Sequence, residues 1–353
     1  MSLSVEITNT VGSEWNQKLL ECEYSTSFQT SEWCELYKKS FESKPFFISI
    51  KDKSGNLVGQ MATILHRNYN WRNANLTKFV GKKMKLGSSL EWERGPIIHN
   101  DNLMQEITNK IFSSIQKICV QNNVSNIRGT SPTNSNISLF PFSDIDLVRN
   151  PWSTYIVKLK NKDELFNNLD KKTRYDIRKS EKSNLEFVEV KKKSDFIDYV
   201  KLKLEPKGNI GLKNYPDFFE QHWKLLHSKH LEQLFLAKFE EKIVSGILCS
   251  TFNENMIQHG VVTSNDVPIS GSFLTWKTIQ WGIENGFNTY DMGGVNPAPN
   301  EKEKGIEFFK SKWEGKKDDY LILTKILRKP NYGISRILQD PKKIAGKLKE
   351  KFG

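Results

Sequence analysis

Three observations predict an α/β fold with mixed α+β sheets, built as two tandem domains of one plan. First, residues 46–50 alternate apolar and polar into the turn Lys53-Ser54-Gly55-Asn56, and residues 57–65 return from it, which is the pattern of a hairpin. Second, the same hairpin recurs far along the chain. Residues 234–239 enter a Glu240-Glu241-Lys242 turn and 243–252 return, with Val58-Gly59 answered by Val244-Ser245-Gly246. Third, the segments after the two hairpins also match. Pro96-Ile97-Ile98 leads into a helix over 103–121, a strand over 124–128 and Gly129. His259-Gly260-Val261-Val262 leads into a helix over 269–285, a strand over 288–292 and Gly293. A duplicated hairpin–strand–helix–strand unit, with a period far longer than that of a solenoid repeat, makes two layered domains.

The first domain is expected over 1–150 and the second over 151–327, with the boundary at Asn150-Pro151. The second opens with a strand over 154–159, one helix over 162–182 and a strand over 185–190. A helical region over 194–227 precedes the second hairpin, and 321–327 reads as a last strand that returns to the first domain. No heptad run is long enough for a coiled-coil arm. Residues 328–353 form a basic tail.

A chain of 353 residues has the length of about two ordinary domains. With 37% hydrophobic and 27% charged residues it falls in the soluble globular class. Residues 1–12 lack the basic and apolar regions of a signal peptide. No window approaches about 18 apolar residues, so no transmembrane helix is expected. Cys22, Cys34, Cys119 and Cys249 have no CxxC spacing and read as reduced thiols in a cytoplasmic protein. The net charge of +12 suits a polyanionic partner, although a lysine-rich composition accounts for it equally well.

The most informative stretch is Tyr290-Asp291-Met292-Gly293-Gly294-Val295, followed by Gly305-Ile306-Glu307-Phe308-Phe309-Lys310-Ser311-Lys312-Trp313. The first part reads as a buried strand ending in a Gly-Gly turn. The second places Lys310, flanked by aromatics, about one turn into a new element. A backbone that a ligand can approach, beside a lysine on an apolar wall, suits an acyl or phosphate group.

Five short motifs, in order, resemble the FemABX peptidyltransferases. They are Phe28-Gln29-Thr30-Ser31-Glu32-Trp33, like a Q-S-x-x-W signature; Arg94-Gly95-Pro96, like an R-G-P strand; Arg174 to Ser180 (RYDIRKS), like an R-x-x-I-R-K-A helix; Tyr290 to Gly294, like Y-D-x-G-G; and Phe309-Lys310, like the start of F-K-x-x-F-G. The family's lysine after the first signature falls out of register here, with Tyr37 in its place and Lys38 and Lys39 beside it. The last motif carries one extra residue before Gly315. Without a helical arm the chain is more similar to the FemX type than to FemA.

The resemblance implies two GNAT-like acyltransferase domains and an aminoacyltransferase activity. The donor would be aminoacyl-tRNA and the acceptor an amine on a nucleotide- or lipid-linked, peptidoglycan-precursor-like molecule. No other cofactor is implied. Aminoacyl transfer needs a bound ester, a deprotonated amine and a stabilised oxyanion. Lys310 is the candidate for the oxyanion or for the donor's phosphates. Asp291, a carboxylate in a buried strand, either positions the amine or caps the following loop. Tyr290, Gly293, Gly294 and Phe309 enter as substrate-binding candidates through their motifs, and Lys38 through its place beside the displaced lysine.

Arg94, at a strand entrance, suits a carboxylate or diphosphate, with Glu91 or Glu93 as a plainer partner. Arg174 and Arg178 share a helix face with Lys171, which is either solvated or holds the acceptor or the tRNA stem. Lys207 and Lys213 are weaker candidates of the same kind. His99 and Asp101 are acid–base candidates without a visible partner.

The segment 264–272 lacks the Q/R-x-x-G-x-G/A loop that cradles the pyrophosphate of acyl-CoA. An acyl-CoA N-acyltransferase is therefore the second reading, and a non-catalytic module that binds nucleic acid or membrane the third. His222, His227 and His230 do not share a helix face, and no metal site is expected. In the tail, Asp340-Pro341 opens a last helix in which Ile344, Leu348 and Phe352 repeat among lysines, a pattern suited to peripheral contact with an anionic membrane.

Overall fold

Alternating residues make the first hairpin: β2 (Lys44–Lys51) and β3 (Leu57–Arg67) pair antiparallel and bury Phe46, Ile48, Ile50 and Met61 on one face. The edge strand β1 (Ser4–Thr8) extends it beside β2. The computed structural model describes residues 3–67, 87–135, 146–205, 216–264, 266–267 and 269–328. On the other side of β3 lies β4 (Ser88–Trp92), and the two-residue β5 (Ile97–Ile98) pairs with the same strand. Helix α1 (Glu14–Leu19) and α2 (Ser31–Phe41) precede this sheet, and α3 (Met104–Asn122) packs across it. Ile107, Ile111, Ile115 and Ile118 fall on one helical face and are buried. Strand β6 (Asn126–Thr130) then runs parallel to β4.

The second half repeats the plan. After β7 (Val148–Lys158) come α4 (Lys162–Asn168), α5 (Lys171–Glu181), β8 (Leu185–Glu189), α6 (Lys193–Leu204) and α7 (Pro216–Leu225). The hairpin β9 (Glu232–Phe239) and β10 (Lys242–Phe252) comes next, then β11 (Asn255–Thr263), α8 (Ser270–Glu284) and β12 (Thr289–Asp291), which is parallel to β11. Helix α9 (Glu301–Ser311) and β13 (Lys316–Ile326) complete the described fold.

All the described strands form one sheet, in the order β1-β2-β3-β4-β6-β13-β7-β12-β11-β10-β9-β8, with β5 off the path. Strand β13 lies between β6 of the first half and β7 of the second. Asn150 and Pro151, at the expected boundary, therefore lie inside a strand, paired with Ile322 and Leu321. A core that includes Trp15, Leu19, Phe28, Leu36 and Phe47 with Leu225, Leu226 and Ile257 draws on both halves. Ser27 Oγ and Ser250 Oγ also meet across them at 2.6 Å.

Two expectations need correction. The single helix over 162–182 is two helices, because Leu169 is extended (ψ 148°) and the Asp170 carboxylate accepts from the backbone N–H groups of Lys172 and Thr173 as N-cap of α5. Of the helical region expected over 194–227, α6 ends at Leu204 and α7 covers Pro216–Leu225, while 206–215 lie outside the described residues. Lys310 stands in the last turn of α9, not the first. The helix begins at a capping box between Asn300 and Glu303, whose backbone N–H and side chain bond reciprocally with the cap.

Among the described residues, no helix is long and apolar enough to cross a membrane. All four cysteines are free and buried. The expected tail helix, Lys207, Lys213, Asn265 and Pro268 fall outside the described residues.

Candidate active-site groove

In each half a pair of parallel strands opens a gap. Pairing of β4 with β6 stops at Trp92↔Gly129, and pairing of β11 with β12 stops at Ile257↔Asp291. Past those points lie Glu93, Arg94 and Thr130 in the first half. Gln258, His259 and Gly260 face Met292, Gly293 and Gly294 in the second. The two resulting pockets share Phe28, Glu93 and Arg94, so they read as one groove across the halves.

Asp291, 3% exposed, anchors the second-half wall. Its Oδ1 accepts from the Gly293 N–H (2.8 Å) and contacts Thr154 Oγ1, which also reaches the Gly293 carbonyl at 2.9 Å. Its Oδ2 accepts from Thr133 Oγ1 (3.2 Å) and lies 3.7 Å from Arg94 Nη2. The carboxylate thus caps the Gly-Gly turn and pairs with Arg94, so neither Glu91 nor Glu93 is the arginine's ion partner.

Gly293 has φ of 77°, and a Cβ there would stand 2.7 Å from the Gln258 carbonyl oxygen. A Cβ on Gly294 would meet Trp152 Nε1 at 2.5 Å and the Tyr320 hydroxyl at 2.6 Å. Both glycines are therefore required by close approach, and the first also by its left-handed backbone.

Lys310 is 8% exposed and donates from Nζ to the carbonyls of Gly293 (2.9 Å) and Gly294 (3.0 Å). Burial pulls its ammonium down to about 8, against the opposing pull of Asp291. An ammonium carries three N–H donors; two are used, and the third remains for the groove it lines.

Arg94 adopts a left-handed backbone (φ 54°), an uncommon state for a residue with a Cβ and one that clusters at functional sites. Its neighbours impose it. Arg94 N–H donates to Thr130 Oγ1 (2.9 Å), Gly95 N–H to the Thr130 carbonyl (3.1 Å), and Gln29 Nε2 to the Glu93 carbonyl (2.6 Å). Gln29 is fully buried and also accepts from Ala62 N–H, so the first signature motif acts as a brace for the arginine loop. The guanidinium lies over the Tyr320 ring (4.3 Å), and its buried Nη1 has no hydrogen-bond partner.

The other expected residues divide. Tyr290 is fully buried and donates to Gln258 Oε1 (2.5 Å), while Gln258 Nε2 donates to the Met292 carbonyl (3.1 Å), so Tyr290 supports the wall without lining it. Phe309 packs edge-on against Trp313 in the second core and is not a groove residue. Lys38 faces away from this groove. Helical register points Tyr37 into the first-half pocket and leaves Lys38 outside it, paired with Glu35 at 3.1 Å.

Arg174 and Arg178 make contacts near their own helix. Arg174 Nη1 donates to the carbonyls of Asn167 (2.6 Å) and Leu169 (2.5 Å), closing the end of α4, and Arg178 covers the Phe166 ring. His99 bonds Gln60, and Asp101 sits in an exposed turn; neither lines the groove. Among the described residues, no group of three His, Cys, Asp or Glu side chains could hold a metal ion.

Sequence reasoning passed over Glu93 and His259 as site residues, along with Thr133, Thr154 and Gln258. Glu93 is accessible through the groove but set among protein atoms that push its carboxyl up, against Arg94, His259 and Arg128, which pull it down. The only signal available was position, since each lies within a few residues of a motif end or of the duplicated strand.

This architecture, with two splayed mixed-sheet halves and a groove between them, is a FemX-like tandem GNAT fold. Solved structures share it. The crystal structure of FemX is similar over 93% of this chain and 99% of its own, with a TM-score of 0.69 and 15% identity. A tandem GNAT protein from the clavulanic acid biosynthesis pathway covers 92% and 98% (TM-score 0.56, 10% identity). L-PGS from Bacillus licheniformis covers 88% and 98% (TM-score 0.53, 13% identity). No protein-family model matches the chain, and no curated protein matches it in sequence.

Proposed function

We propose that the protein is an aminoacyltransferase that moves an amino acid from aminoacyl-tRNA to an amine on a nucleotide- or lipid-linked acceptor held in the groove. One observation carries the reading. Two buried cations, Lys310 and Arg94, line one groove, and each keeps donor capacity that no protein acceptor uses. Such donors suit the oxyanion of an attacked ester and the phosphates of donor or acceptor. Asp291 caps the turn whose carbonyls hold Lys310 and lies 3.7 Å from Arg94 Nη2.

The fold shared with FemX and L-PGS supports aminoacyl transfer, and the net charge of +12 supports a polyanionic donor. The fold shared with a tandem GNAT protein keeps acyl-CoA as the competing donor, and the missing pyrophosphate loop weighs against it. The basic tail would serve a lipid-linked acceptor by meeting the membrane surface.

Thermal unfolding with charged tRNA, uncharged tRNA and acetyl-CoA tests the donor. A specific ligand at a hundred times its Kd stabilises by about 2.7 kcal/mol. Stabilisation that needs the aminoacyl group is expected. Stabilisation by acetyl-CoA alone would overturn the reading in favour of acyl-CoA.

A further inference from the structure

Asp291 already accepts from the Gly293 N–H, Thr154 and Thr133 and faces Arg94, which turns the search for an acceptor of the amine's proton to other groups of the groove. Glu232, at the start of β9, is fully buried. Its Oε2 contacts His222 Nε2 on α7, and its Oε1 lies 2.9 Å from His259 Nε2 on β11. Glu232 Oε1 and His259 Nε2 are both buried and, although 2.9 Å apart, do not meet hydrogen-bond geometry, so closeness and charge join them and neither has another partner. Burial pushes the Glu232 carboxyl up, but His222 and His259 outweigh it and hold it at about 2, as an anion.

The two oxygens go to different histidines, which is an arrangement for pairing and not for a shared metal. His222 is enclosed by the rings of Phe196 and Phe218. His259, at the other end, remains 21% exposed and lines the groove with Lys310, Gly293 and Arg94. The edges of Phe28 and Trp33 fix its ring.

We propose that His259 is the general base of the groove, accepting the amine's proton at Nδ1, with Glu232 and His222 as positioning residues that hold its Nε2–H. The inference rests on the transferase reading above. An imidazole that presents Nε2–H to a carboxylate has its lone pair on Nδ1. The amine nitrogen attacks the ester carbonyl carbon and the C–N bond forms, while one amine proton passes to Nδ1. The bond from that carbon to the donor's ribose oxygen then breaks, and the imidazolium, stabilised by Glu232, returns the proton to the oxygen. The products are an amide and a free hydroxyl, with no change of oxidation state.

Charged groups surround His259 from each neighbouring element: Glu232 on β9, His222 on α7, Glu93 and Arg94 after β4, Arg128 on β6, Asp291 on β12 and Lys310 on α9. Glu93 is the rival base.

The test uses the full chain, bulk tRNA charged with all the amino acids as donor and a UDP-linked peptidoglycan-precursor pentapeptide as acceptor. Imidazole ¹⁵N spectra are expected to show His259 as the Nε2–H tautomer near pH 7, and Glu232→Gln to abolish that preference. His259→Gln, with folding verified by circular dichroism, should slow kcat by about 10²-fold or more, change KM little and remove the acid limb of the pH–rate profile. His222→Gln should shift that limb, which a purely structural residue would not do, and the limb should persist in Glu93→Gln.

Retention of the wild-type rate and acid limb by His259→Gln would overturn the base assignment, as would loss of the limb in Glu93→Gln instead. If the wild type transfers from no donor, the transferase reading fails and takes this one with it. If the wild type is active and His259→Gln equally so, only the base assignment fails.

Discussion

Lys310 is a cation kept where burial disfavours its charge, anchored by two backbone carbonyls that an apolar side chain could not satisfy. Lys310→Met should lower the transfer rate about 10²–10³-fold in a single-turnover assay. If the ammonium is the working form, wild-type transfer should fall as pH rises through about 8. Stability runs the other way. A lysine whose folded pKa is depressed carries a full penalty below that value, and the penalty is relieved between about 8 and the ordinary 10.5. Wild type should therefore gain stability relative to Lys310→Met across that window in urea titrations. Gly293→Ala should cost about 1–3 kcal/mol and abolish transfer, since its Cβ would press on the Gln258 carbonyl. Lys310, Asp291 and Gly293 were legible in the sequence because one motif run holds the carboxylate and glycines and a second holds the lysine. Arg94 was legible, but its partner was not, because Asp291 lies on the other half. The His222–Glu232–His259 chain was opaque for the same reason: three elements bring it together and no spacing announces it.

Helix starts separate stability from function. Asp170 caps α5, away from the groove, so Asp170→Ala should cost about 1 kcal/mol and leave transfer intact. Asn300 caps α9, the helix that carries Lys310. Asn300→Ala should cost a similar amount and also slow transfer, and urea unfolding beside a rate assay distinguishes the two outcomes. The hairpins β2–β3 and β9–β10 could be read from alternation because their inner faces are apolar and their turns are polar. Strand β1 could not, since its residues are largely exposed at a sheet edge, and β4 could not, since Ser88, Ser89 and Glu91 hide a strand among polar residues. The break between α4 and α5 escaped because Leu165, Leu169 and Ile177 keep a helical spacing across it. The cap at Asp170 overrides that pattern locally.

At the scale of the whole molecule, one sheet and a mixed core join the halves, so each is a poor folding unit alone. Residues 1–150 expressed separately would expose β6, which normally pairs with β13, and the apolar patch that Leu225, Leu226 and Ile257 cover. That fragment is expected to aggregate, and the full chain to unfold in one transition with coincident far-ultraviolet dichroism and tryptophan fluorescence. Two separated transitions would show the halves to be independent. The duplication was visible from sequence, but the way its copies join was not, since pairing partners far apart leave no local mark. The position of β13 also sets an order in time. Ribosomes make this strand after every other described strand of the sheet, so β6 and β7 each wait through about half of translation for this shared neighbour. The nascent chain can assemble its hairpins early, but the groove between the halves takes shape only when the last strand emerges and draws them together.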